Sequence, residues 1–118
     1  MYYVRSSSGV PIFTIRMVRN LFKWFNNNLP TDHVVPIYLC CCRTFDFDGD
    51  LAAGIFRYRG KSCNIKIAGL RHINEVLTTC LHEFVHFEQF TSGRSLTERG
   101  VRVRMRSLED LILSDWFL

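Results

Sequence analysis

The stretch Leu81-His82-Glu83-Phe84-Val85-His86-Phe87-Glu88-Gln89 decides how this chain is read. Residues four apart lie one above the other on a helix, so a helical segment would aim the imidazoles of His82 and His86 at one point. Glu83 projects beside that face, close enough to take a proton from a metal-activated water without itself entering the coordination sphere. Working outward, Ile73, Val76, Leu77, Cys80, Leu81, Phe84 and Val85 recur at three- and four-residue steps. This spacing predicts a helix over about residues 72–92, with the histidines on the side away from its apolar stripe. Gly93 supplies the residue that commonly ends a helix. Two histidines on a solvated face would be the bland alternative.

The 118 residues bound the answer to one domain, residues 1–118, and 47% hydrophobic content argues for a packed core. No apolar run reaches the ~18 residues that span a bilayer. The N-terminal Met1 to Ser8 lacks the apolar stretch of a secretory signal, so a cytoplasmic protein is expected. The five cysteines include the consecutive Cys40-Cys41-Cys42, which cannot bridge among themselves, and reduced, mostly buried thiols are the default. The absence of any C-x-x-C pair speaks against a cysteine-rich zinc site. The net charge of +4 draws on Arg94, Arg99, Arg102, Arg104 and Arg106. These form either a solvated helix face or a patch for nucleic acid or another anionic surface.

Ile12, Ile15, Val18, Leu21, Phe22 and Phe25 follow helical spacing, which predicts an amphipathic helix over residues 12–28, closed by Pro30 and the polar Thr31-Asp32-His33, although Asn26-Asn27-Asn28 is turn-like in composition. Val34 to Cys42 reads as a strand. Asp46-Phe47-Asp48-Gly49-Asp50 reads as a turn and lacks the downstream glutamate of a calcium loop. Leu51 to Tyr58 and Cys63 to Ala68 read as strands joined by the hairpin connection Arg59-Gly60-Lys61-Ser62. Ser95-Leu96-Thr97-Glu98 has the capping-box pattern, and Val101, Met105, Leu108 and Ile112 carry a last helix to about residue 113. The alternation of Val101 to Arg106 also suits a strand, but Leu108 to Leu113 extends the helical period.

A catalytic zinc site normally takes three protein ligands and leaves one position to water. No histidine follows His86, and the candidate carboxylates downstream are Glu98, Glu109 and Asp110. For an antiparallel pair over residues 72–92 and 95–113, the level facing His86 falls near residue 101. Glu98 then misses by about 4.5 Å and Glu109 by about 12 Å at the helical rise. Glu98 also shares the stripe of Val101 and Met105; its competing role is to complete the capping box with Ser95.

The segment from Leu81 to Gln89 resembles the active-site helix of zincin metallopeptidases, in particular small single-domain gluzincins. The resemblance implies an α+β minimal zincin: N-terminal helix, three-stranded mixed sheet, active-site helix and C-terminal glutamate helix. It implies one zinc per chain held by His82, His86 and Glu98, Glu83 as general base or acid, and hydrolysis of peptide or protein substrate. It further implies a sheet edge that holds extended peptide, assigned to Leu51–Tyr58 with Ala53, Gly54, Ile55 and Phe56 at its centre. Two departures stand out. Arg102 occupies the place where many gluzincins carry a supporting aspartate, and no tyrosine or histidine follows His86 to stabilise an oxyanion. The alternatives are a non-catalytic zincin-fold binding module and a protease acting on DNA-bound or repressor-like proteins.

Overall fold

The computed structural model describes residues 1–117, with side chains through residue 115. The fold is α+β, with a mixed sheet. Its contacts group into two compact units, Met1–Cys80 and Leu81–Leu118. No helix among the described residues is long and apolar enough to cross a membrane.

In the first unit, β1 (Tyr2–Ser6), α1 (Ile12–Asn28) and β2 (Val35–Cys40) form a crossover that lays β1 and β2 parallel. A hairpin of β3 (Phe45–Phe47) and β4 (Asp50–Ala52) follows, then β5 (Gly54–Arg59) and β6 (Ser62–Ala68). The main sheet has the order β1-β2-β6-β5, with β2 and β6 parallel and β5 and β6 antiparallel. The main sheet, expected with three strands, therefore has four, and β3 and β4 form a separate two-stranded sheet. β1 carries little alternation in its sequence, because only Tyr2 of its five residues is fully buried.

The predicted bounds of α1 hold. Val18, Leu21, Phe22, Trp24 and Phe25 are buried, whereas Ile12 and Phe13 stand exposed at its start. Phe22 and Phe25 meet Tyr2 of β1 with ring centroids about 6 Å apart. Asn26, read from sequence as part of a turn, is helical. Its amide accepts from Tyr2 N and donates to Tyr2 O, each at 2.8 Å. A side chain thus occupies backbone groups that an edge strand would leave open.

The expected strand Leu51–Tyr58 is broken at Ala53 into β4 and β5, which belong to different sheets. The turn expected at Asp46–Asp50 is the β3–β4 hairpin, where Asp48 and Gly49 take positive φ of 53° and 84° as a two-residue loop demands. One face of the main sheet is core: Val35, Ile37, Leu39, Ile65 and Ile67 are wholly buried. All five cysteines are free. Cys63 and Cys80 are buried, but Cys41 is exposed and Cys40 and Cys42 are half-buried, so the expectation of mostly buried thiols fails at the triplet. The cause is that β2 stops at Cys40 and the chain bends through residues 41–43. Burial pushes the Cys63 thiol up.

Helix α2 (Ile73–Ser92) crosses the boundary between units without interruption. In the second unit it ends at Gly93, whose φ of 68° a residue with a Cβ adopts only at a cost. Helix α3 (Glu98–Phe117) starts later than expected. Thr97 is its N-cap: Gly100 N donates to Thr97 Oγ1 at 3.1 Å. The Ser95–Glu98 capping box is therefore not formed, because the threonine nearer the helix serves the same donor. Val101, Leu108 and Ile112 are buried as the periodicity required. By sequence, Asp115-Trp116-Phe117-Leu118 is an apolar tail with one carboxylate that suits either a cleft or the core; from Trp116 on it lies outside the described side chains.

Candidate metal centre

The second turn of the motif brings together what the sequence promised. His82, Glu83 and His86 form a group whose ligand atoms all lie within 4.8 Å of one another. The two imidazole centroids are 4.5 Å apart with their planes at 87°. His82 is exposed, His86 half-buried, and Glu83 only 5% exposed. A buried carboxylate needs a partner, and His82 Nδ1 provides one at 3.2 Å from Glu83 Oε1. This hydrogen bond is the main cause that raises the His82 pKa above its ordinary value; burial opposes the shift and the Glu83 charge adds to it.

His86 is oriented in the same way by a residue that sequence reasoning did not single out. Its Nδ1 lies 2.9 Å from Gln89 Oε1. With oxygens as both acceptors, the tautomer that fits these contacts has its proton on Nδ1 and its lone pair on Nε2. Among the described residues neither Nε2 has a hydrogen-bond partner. The signal for Gln89 was present as a polar residue three positions after a candidate ligand, on the same helix face.

Glu98 is not brought into the group. It is exposed at the first residue of α3. Arg104 grips Glu88 through both carboxylate oxygens, Nε to Oε1 at 2.9 Å and Nη2 to Oε2 at 2.8 Å. That pair brings Arg104 of α3 beside Glu88 near the end of α2. For an antiparallel pair with Glu88 level with Arg104, His86 would face about residue 106 and His82 about residue 110. Glu98 then stands about 12 Å from the level of His86 and Glu109 about 4.5 Å. The earlier level near residue 101 rested on a helix starting at 95. Glu109 is exposed and also outside the group.

The strand-edge residues are in the first unit. Gly54, Ile55 and Phe56 lie in β5, which pairs only with β6 and so ends the main sheet. Ala53 lies in the break before it, where its carbonyl accepts from Ala68 N at 2.9 Å. The arginine cluster divides: Arg104 is committed to Glu88, while Arg99, Arg102 and Arg106 line an exposed groove along α3.

Two imidazoles and a carboxylate are nitrogen and oxygen donors of the kind that can hold a metal ion such as zinc. No family model, no curated protein and no solved structure matches this chain.

Proposed function

We propose that the chain is a zinc-dependent metallopeptidase of the zincin type, with His82 and His86 as ligands through Nε2. The observation that supports it best is that both Nδ1 atoms are engaged by Glu83 and Gln89, the orientation expected around a metal-binding histidine pair. When bound, zinc supplies Lewis acidity, which polarises a carbonyl and acidifies water. Glu83 spends Oε1 on His82, and among the described residues Oε2 has no hydrogen-bond partner. Oε2 is then the atom that takes a proton from the nucleophile and returns it to the leaving amine. The edge of β5 offers Gly54–Phe56 for main-chain pairing with extended peptide. The third ligand is a carboxylate of α3; the gluzincin pattern names Glu98, and the Glu88–Arg104 register favours Glu109.

A metal-binding module without catalysis is the second reading, favoured because the group holds two histidines and one carboxylate with no α3 residue among them. Zinc content together with cleavage of a diverse peptide library separates the two. The peptidase reading expects about one zinc per chain, its loss in His82→Ala and His86→Ala, and Glu83→Gln that keeps zinc and loses cleavage. A zinc-loaded wild type that cleaves nothing, with Glu83→Gln lowering zinc affinity at least ~10-fold, would instead make Glu83 a ligand and sink the peptidase.

A further inference from the structure

The main sheet has a second face, and its chemistry is unlike that of the metal centre. Residues that alternate with the buried set point to it. Arg5, Tyr38 and Lys66 lie side by side across β1, β2 and β6. One row along, Tyr3 neighbours Pro36, and Arg57 neighbours Asn64. Tyr3, Tyr38 and Lys66 are half-exposed, and Arg5 and Arg57 are exposed. Two open grooves follow this face. One, of about 730 Å³, is lined by Tyr3, Arg57, Arg59 and Lys61 among others. The other, of about 470 Å³, is lined by Arg5, Tyr38 and Lys66 among others.

Five cations therefore line the two grooves, against the carboxylate of Asp32. Among the described residues none of the five forms an ion pair. Unpaired cations on one surface are the electrostatic footprint of a polyanion. The tyrosines add a second requirement. Arg5 lies over the Tyr3 ring at 5.5 Å from its centroid, within cation–π reach, so this face sets an aromatic ring beside a cation, as a base and its phosphate require. An acidic peptide would satisfy the charge and leave the rings unused. A duplex would present its phosphates but keep its bases stacked inside.

We propose that this sheet face binds single-stranded nucleic acid, with Arg5, Arg57, Arg59, Lys61 and Lys66 meeting phosphates and Tyr3 and Tyr38 stacking on bases. The combination of a basic groove with aromatic platforms is what sequence-tolerant single-strand binding requires. The surface shares no residue with the His82–Glu83–His86 group, and its test needs no metal.

The probe is a fluorescent oligothymidylate of about ten nucleotides, titrated with the full chain at several salt concentrations. If four of the five cations contact phosphates, log K falls against log salt with a slope of about −2.8, roughly 50-fold between 50 and 200 mM. Tyr3→Ala and Tyr38→Ala should each weaken binding, by roughly 5- to 100-fold, with the slope kept, and Tyr3→Phe and Tyr38→Phe should retain it. Arg57→Gln and Lys66→Gln should each flatten the slope by about 0.7. Melting curves establish that each variant is folded, and where an alanine variant is not, the glutamine pair and the phenylalanine variants carry the test. No binding, equal binding of a duplex or of polyglutamate, or loss confined to a combined Arg99→Gln, Arg102→Gln, Arg106→Gln variant of α3 would each overturn the proposal.

Discussion

Glu83 is the residue at which the chemistry turns, because a carboxylate at 5% exposure is costly unless something holds it. His82 Nδ1 holds it, and the same contact fixes the histidine's tautomer, so one interaction serves both groups. The pattern His-Glu-x-x-His was legible in sequence; Gln89 was not singled out, although its spacing to His86 was in plain view. The choice of a third ligand from sequence depended on the exact start of a helix. Glu98 and Glu109 now give opposite expectations. The Glu88–Arg104 register leads us to expect that Glu109→Gln lowers zinc affinity at least ~10-fold, the loss typical of disturbing even an outer partner, while Glu98→Gln leaves it within about two-fold. Competition titration with a chromophoric chelator measures both. The reverse result would restore Glu98 as the ligand and show that the first turn of α3 moves onto the histidines when metal binds.

At the scale of elements, long periodic segments were read well and short ones poorly. The bounds of α1 followed from its apolar spacing and the proline after it, and the β5–β6 hairpin followed from Gly60 between two β-rich runs. The break at Ala53 left no mark, because Leu51 to Tyr58 is continuous in composition while its two halves pair with different partners. Helix ends depend on single hydrogen bonds, and α3 shows the consequence. Ser95 and Thr97 are both good caps by type, but the Gly100 amide donates to Thr97. Thr97→Ala should therefore cost about 1 kcal/mol in urea unfolding, as N-cap truncations do, and Ser95→Ala close to nothing. Equal losses in the two variants would mean that the residue 93–97 connection, rather than the cap, limits the stability of this end.

For the molecule as a whole, α2 is the element that matters most, since it runs unbroken from the unit that holds Trp24 into the unit that holds the histidines. Helical hydrogen bonds propagate cooperatively, so residues 81–92 cannot be stabilised without some of that reaching the turns before them. Zinc bound at His82 and His86 should then protect the chain beyond its own unit. With zinc at 100 times its Kd the linkage is about 2.7 kcal/mol, less whatever the unfolded cysteines and histidines capture. The pH dependence has a definite sign. Without metal, the raised His82 pKa means that the His82–Glu83 pair contributes stability fully present below about pH 6.5 and lost as pH rises through the folded value. Zinc requires the neutral ring, so its contribution grows as pH rises through that same value. The zinc-dependent gain in Tm should accordingly be larger at pH 8 than at pH 6. In a Trp116→Phe variant, where Trp24 is the sole tryptophan, its fluorescence should report the same shift as the far-ultraviolet helix signal. A Trp24 transition that stays fixed while the helix signal moves would show that the two units unfold independently, and that the continuity of α2 does not couple them.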